Sequence, residues 1–353
     1  MKFKALKKQM EILNMDSFYV SNLSNVYYLS GFKGTAGTIF VTKEKVYLIT
    51  DFRYISQAKE QTENIEIIDV AKGEKEIFCD IIKKHNISSV GFEQEYISYK
   101  RFTQLGEIFS GVKLLASEGM VEKLRIIKTK EEIAAIEKAC EIADEAFERV
   151  YPLMKEGISE LEVAAMLEYE MKKQGATGVS FETIVASGVR SSMPHGTASE
   201  KLLYEGDFVV MDFGCIYKGY CSDITRTVAI GNASDKMRDI YNKVLTVQEE
   251  SLKEIKKGAF CKEVDNKSRQ MFSLWGIDSY FGHSLGHGVG IDIHELPNLS
   301  SKSSFTIQEN MIVTVEPGIY IENEFGVRIE DTVAVTENGA KRLTKSGKHL
   351  IIC

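Results

Sequence analysis

Four acidic residues of this 353-residue chain stand where apolar sequence would leave a carboxylate little water. Asp212 follows Phe208-Val-Val-Met211 and Glu316 follows Met311-Ile-Val-Thr-Val315, so both belong to or leave strands that read as buried. Asp223 and Glu330 end short strand-like segments expected to pair back as hairpins through Gly219 and Gly326. A buried carboxylate is costly unless a cation, a hydrogen-bonded partner or a proton compensates it. Four of them converging would repel strongly, and cations are what can hold them ionised together.

Histidines extend the set. Gly282-His-Ser-Leu-Gly-His-Gly-Val-Gly290 is a glycine-dense loop or bent strand that brings His283 and His287 to a backbone a ligand can approach. One imidazole with four carboxylates is an oxygen-rich donor set, suited to manganese, iron or cobalt at least as well as zinc. Two bridged cations would acidify a shared water and polarise a carbonyl, which is hydrolytic chemistry. His195 in Met193-Pro194-His195-Gly196 and His294 before Glu295 could then donate to a substrate oxygen.

The elements that must position these residues come in two matched sets. Thr129 and Glu132 form a capping-box pattern ahead of a helical run that Pro152 stops, and Ser159 with Glu162 opens a second helix ending at Gly175. Lys155-Glu-Gly157 with Val163 and Gly175 recurs as Lys256-Lys-Gly258 with Val264 and Gly276. Further on, Glu205 to Gly214 aligns with Glu309 to Gly318, and Asp223-Ile-Thr with Glu330-Asp-Thr. The pattern predicts a duplicated α+β half, two helices and then strands, with two carboxylates from each half. Residues 1–120 instead alternate short helical patterns with β-rich runs such as Gly37–Thr42 and Lys45–Thr50, which reads as a separate α/β domain before a second domain over 121–353.

Composition excludes several classes. Lys plus Arg is 44 against 51 for Asp plus Glu, a net charge of −7 and the wrong sign for neutralising phosphates, so nucleic acid is not an expected partner. No stretch of 18 apolar residues occurs, and the Lys-rich start runs into Gln9 and Glu11, so a soluble, cytoplasmic protein without a membrane partner is expected. Six scattered cysteines without a C-x-x-C pair read as reduced thiols; Cys215 and Cys221 flank the Asp212–Asp223 segment, as core packing or as oxidation-sensitive groups. Gly282-His-Ser284-Leu-Gly286 also matches a nucleophile elbow, with Asp292, His294 and His349 as partners, but His-Gly-Val-Gly after it would not start the required helix.

Asp212 with Asp223, His287 in Gly286-His-Gly-Val-Gly290, Glu316 in Val-Glu-Pro-Gly-Ile-Tyr320 and Glu330 in Gly326-Val-Arg-Ile-Glu-Asp-Thr332 together resemble the pita-bread dinuclear metallopeptidases of family M24. The likeness is to the proline-directed branch, Xaa-Pro aminopeptidase and Xaa-Pro dipeptidase (prolidase). Ser-Asn-Val-Tyr-Tyr-Leu-Ser-Gly-Phe and Asp51-Phe-Arg-Tyr54 resemble the creatinase-type N-terminal domain of that branch, so the resemblance spans the chain.

The resemblance implies that Asp212 chelates one of two divalent ions, that Asp223 and Glu330 bridge them, and that His287 and Glu316 complete the shell. Manganese is the first expectation, with cobalt, iron or zinc as alternatives. It further implies a metal-bridging hydroxide as nucleophile and Glu316 as proton shuttle. His294 and His195 would hold the substrate and stabilise the intermediate, and His283 would line the side that accepts proline. Arg328 would either share that wall or neutralise surplus carboxylate charge. Small peptides with proline in second position are the expected substrates and a homodimer the expected assembly, with Asp51 and Arg53 either at its contact or in a buried intradomain salt bridge. Asn298 stands where some resembling dipeptidases have arginine after His-Glu-x-Pro, which favours an aminopeptidase over a dipeptidase. A non-catalytic binding module on the same fold is disfavoured because every ligand position is filled. A methionine aminopeptidase is disfavoured by the N-terminal domain and by His294-Glu-Leu-Pro297.

Overall fold

The computed structural model describes residues 2–353, which form one compact unit ending at Arg125 and a second from Ile126 to Cys353. In the first unit the β-rich runs become the antiparallel strands Ser17–Val20, Thr38–Thr42 and Val46–Thr50. Glu66–Asp69, Ser89–Glu93 and Lys113–Ser117 add in parallel to complete a six-stranded sheet. Its core gathers Tyr19, Phe40, Phe78 and Phe109, with ring centroids 5.0 to 6.2 Å apart and mostly edge-on or tilted, the geometry aromatic quadrupoles prefer. Asp51 and Arg53 pair with each other, both oxygens accepting at 2.8 Å, but Arg53 is 61% exposed. The salt bridge is therefore a surface one and not the buried bridge that was one of the two expectations.

The second unit follows the capping signals. Thr129 and Glu132 cap the helix Lys130–Val150, the chain breaks at Tyr151-Pro152, and Ser159 with Glu162 caps the helix Glu160–Lys173. The order then repeats with helices Asp235–Glu254 and Cys261–Leu274. Strands Ile184–Ser187, Phe208–Phe213 and Ile224–Ala229 lie side by side in that order, antiparallel. Gly286–Gly288, Ile312–Val315 and Asp331–Thr336 do the same in the second sheet. Each set carries a short hairpin inserted between its last two strands, Cys215–Tyr217 with Tyr220–Cys221 and Gly318–Ile321 with Phe325–Arg328. The duplication legible in the sequence is thus a duplication of topology.

One hairpin departs from expectation. Lys218 and Gly219 make a two-residue turn with φ of 48° and 79°, the left-handed pair such turns require. In the other half the turn is Glu322–Glu324, with Asn323 at φ 61°, and Gly326 lies inside the strand. A Cβ on Gly326 would stand 2.0 Å from the Ser191 carbonyl oxygen, so glycine answers a close backbone approach there and not a turn. Among the described residues no helix is long and apolar enough to cross a membrane.

Candidate functional site

The inserted hairpins explain how the acids meet. Phe213 pairs with Ile224, which puts Asp212 and Asp223 at one end of the first sheet, and Val315 pairs with Asp331, which does the same for Glu316 and Glu330 in the second. The halves are joined at that end: Glu330 N donates to the Thr225 carbonyl at 3.2 Å, Thr225 Oγ1 to Glu330 Oε2 at 2.7 Å, and Thr332 Oγ1 to the Asp223 carbonyl at 2.7 Å. Asp212, Asp223, Glu316, Glu330, His195, His283, His287, His294 and Arg328 all line one cavity of about 600 Å³, within the range that suits a small ligand.

The electrostatics are those of an undercompensated anion cluster. Burial, and then the neighbouring acids, push the carboxyls of Asp223 and Glu330 well above the ordinary range, Asp223 being acted on first by Glu330 and Glu330 first by Glu316. Glu316 is pushed up to about 8, again by burial first. Arg328, only 3% exposed in its side chain, answers part of the charge through Nη2 to Asp212 Oδ2 at 2.6 Å. It also donates to the Tyr320 hydroxyl at 2.7 Å, the Pro194 carbonyl at 3.2 Å and Thr225 Oγ1 at 3.0 Å. Arg328 thus lines the cavity and pairs with a carboxylate at once.

The donor set fits divalent cations. Asp212 Oδ1 and Glu330 Oε1 are buried without a hydrogen-bond partner. One ligand atom each from Asp223, His287 and Glu330 lies within 4.8 Å of the others. His287 Nδ1 donates to the Gly288 carbonyl at 3.1 Å, which leaves Nε2 as the lone-pair nitrogen, 3.5 Å from both Asp223 Oδ2 and Glu316 Oε1. Ligand distances of about 2.1 Å in a tetrahedral shell give edges of roughly 3.4 Å, so that spacing suits a shared cation better than a direct hydrogen bond. Burial, then His294, lowers the His287 ring to about 4, so it is neutral and able to ligate.

The remaining histidines divide. His283 lines the cavity, but Nδ1 donates to the Ser284 carbonyl at 2.8 Å and Nε2 accepts from the Tyr320 hydroxyl at 3.0 Å. A chain Asp212–Arg328–Tyr320–His283 results, and His283 offers the cavity a ring edge and no proton. His294 stands edge to face on His287 with ring centroids 4.4 Å apart, and His195, in an exposed loop, lines the same cavity. The residue after Ser284 and Leu285 begins the strand Gly286–Gly288, so the strand, nucleophile and helix of a nucleophile elbow are not assembled. No sequence signal marks the roles of Thr225 or of Thr314, whose Oγ1 accepts from His287 N at 3.1 Å, since each comes from contacts across the two halves or across the sheet. Tyr320 alone had a signal, its place in the Val-Glu-Pro-Gly-Ile-Tyr run.

Residues 134–337 match metallopeptidase family M24 and residues 2–127 match the creatinase/prolidase N-terminal domain. An Xaa-Pro dipeptidase of Pyrococcus furiosus is 42% identical, with 99% of each chain covered. Among solved structures, an Xaa-Pro dipeptidase from Bacillus anthracis superposes with a TM-score of 0.97 at 44% identity, covering 100% of this chain and 99% of the other. An X-Pro aminopeptidase from Thermotoga maritima gives 0.92 at 37% identity over 99% of each. The chain is a peptidase that belongs to metallopeptidase family M24, with a creatinase/prolidase-type N-terminal domain ahead of a pita-bread catalytic domain.

Proposed function

We propose that the protein hydrolyses Xaa-Pro dipeptides with two divalent ions, manganese by preference, held by Asp212, Asp223, His287, Glu316 and Glu330. The dipeptidase reading replaces the aminopeptidase favoured from Asn298: relatives matching essentially the whole chain at 42% and 44% identity carry the dipeptidase name. Asn298 does line the cavity, and the Thermotoga maritima likeness keeps the aminopeptidase as the second reading. The observation that carries the proposal is the cluster of four undercompensated carboxylates with a neutral imidazole in a cavity of dipeptide size.

Bound divalent ions would supply charge compensation, Lewis acidity toward the scissile carbonyl and ionisation of water near neutral pH. The chain's own residues supply the rest. Glu316, on the cavity wall, takes a proton from the attacking water and delivers it to the imino nitrogen of proline, which must be protonated to leave. His294 and His195 donate to the carbonyl oxygen as it becomes an oxyanion. Arg328 pairs with Asp212 Oδ2 and so fixes that carboxylate at the site.

The test follows release of free amino acid from Gly-Pro, Ala-Pro and a longer Xaa-Pro-Xaa peptide by metal-stripped protein, with and without added manganese or cobalt. Metal-dependent cleavage confined to the dipeptides supports the proposal. Efficient cleavage of the longer peptide would replace it with an aminopeptidase, and no cleavage with any metal would refute both.

A further inference from the structure

The chain between strands Ile184–Ser187 and Phe208–Phe213 carries Pro194 and His195 to the cavity wall and has only a short helical turn, Gly188–Ser192, of its own. Beside backbone ties such as the Thr197–Ile184 bridge and Leu161 N to the Ser199 carbonyl at 3.1 Å, one carboxylate elsewhere gathers its two ends. Glu160, first residue of the helix Glu160–Lys173, is 0% exposed. Its Oε1 accepts from Ser187 N at 2.7 Å and Ser187 Oγ at 2.8 Å, and its Oε2 from Ser199 N at 3.1 Å and Ser199 Oγ at 2.6 Å. Arg190 Nε reaches Oε2 at 3.0 Å while Arg190 Nη2 donates to the Thr197 carbonyl at 2.6 Å. One side chain thereby fastens the start of the loop, its end and a cation within it.

An acid in the first turn of a helix ordinarily faces solvent and interacts with the helix dipole. Glu160 instead gives up its water entirely, which is tolerable only because charge-assisted donors fill both oxygens, and the donors cited above all come from this loop. The second half repeats the device. Asp265, also 0% exposed and in the helix Cys261–Leu274, accepts from Leu285 N at 2.9 Å and pairs with Arg269 at 2.7 Å. Arg269 in turn donates to the carbonyls of Phe281 and His283. In each half, a buried acid and an arginine hold the segment that bears a cavity histidine.

We infer that Glu160 is a positioning residue that holds the Ser187–Ser199 loop so that His195 faces the bound peptide. Only the kinetic consequence rests on the peptidase reading above; the clamp itself does not. The test compares Glu160→Gln, the milder Ser199→Ala, His195→Gln and the double variant Glu160→Gln/His195→Gln in the full metal-loaded chain. The readouts are KM and kcat on Ala-Pro, and limited trypsin digestion with cleavage after Arg190 and Lys201 followed by mass. Misplacing a group that donates to the developing oxyanion should lower kcat about tenfold with a smaller change in KM, and the double variant should be no worse than His195→Gln alone. Trypsin should cut the loop at least several times faster in Glu160→Gln and Ser199→Ala. Losses that multiply in the double variant, or Glu160→Gln and Ser199→Ala both keeping the unsubstituted kcat and trypsin rate, would overturn the inference. If the unsubstituted enzyme cleaves no Xaa-Pro peptide, the functional proposal fails, and the trypsin rates alone then decide for or against the clamp.

Discussion

Replacing Glu330 by glutamine separates a cluster of acids built for cations from a buried polar network that is content without them. Glu330 Oε1 has no partner, and its Oε2 bond from Thr225 is one that a glutamine oxygen can keep. One carboxylate oxygen of Asp223 lies within 4.8 Å of one of Glu330, and two unit charges at that distance repel by about 3 kcal/mol at an effective dielectric of roughly 20. Removing one charge should therefore stabilise the chelated protein by at most about 3 kcal/mol, and by less wherever the raised carboxyls of Asp223 and Glu330 already relieve the repulsion by holding a proton. For a unit running from Ile126 to Cys353, that ceiling is a rise in Tm of roughly 6–12 °C. With saturating manganese the order inverts: the unsubstituted protein gains about 4 kcal/mol at a thousandfold excess over Kd, and the variant, having lost a bridging ligand, gains much less. Calorimetry at pH 8 in chelator and in manganese, alongside hydrolysis of Ala-Pro, reads both effects. Turnover should fall below about one thousandth in the variant, because Glu330 is proposed to hold both ions. A variant that is less stable than its parent by the same amount in chelator and in manganese would refute the reasoning, because the carboxylate would then be a favourable part of the metal-free fold.

Two further outcomes follow from single side chains. Burial holds the Glu93 carboxyl at about 6 despite hydrogen bonds from the Ser21 and Asn22 amides and from Asn25. A folded value above the ordinary 4.5 contributes stability that is complete below pH 4.5 and lost as pH rises through 6. The first unit should lose about 2 kcal/mol of that contribution on the way up, and Glu93→Gln should flatten the slope; identical slopes in urea titrations at pH 4.5, 5.5 and 7 would count against it. Gly286→Ala would set a Cβ 2.1 Å from the Thr314 carbonyl, and Thr314 Oγ1 accepts from His287 N. Backbone cannot give way there, so His287 should shift and manganese affinity fall at least about tenfold by calorimetric titration, with unchanged affinity as the contrary result.

The site was legible where residue type and local pattern carry the information together. Asp212, Glu316 and Glu330 stood out because an acid beside an apolar β run is costly on its face, and His287 because three glycines around it have backbone reasons to be there. Cβ atoms on Gly286, Gly288 and Gly290 would each meet another atom within 2.4 Å. What stayed hidden depends on partners far along the chain. Nothing local tells that Thr225 serves Glu330, that Tyr320 bridges Arg328 to His283, or that Glu160 is buried and not a solvent-facing helix-start acid. Gly326 misled because a turn and a close approach both select glycine, and only the position of Ser191 distinguishes them. Asn298 carries little weight because one side chain on a cavity wall does not fix which peptide length is accepted.

Duplication also left a dependence that neither half shows alone. Arg328, on the second half's hairpin, has its carboxylate partner, Asp212, in the first half. Arg226, fully buried on the first half's strand, has its own in Asp331 of the second at 2.9 Å. A buried charge stripped of its partner costs several kcal/mol, so each half would be left with charges it cannot compensate. The hydrogen bonds of Thr225 and Thr332 run the same way, from one half to the backbone or carboxylate of the other, at the residues flanking Asp223 and Glu330. Bringing the four acids together and closing the fold are therefore the same event. The repulsion among the acids is met by cross-half pairs already buried with them and, where those run short, by the cations the cluster is shaped to take.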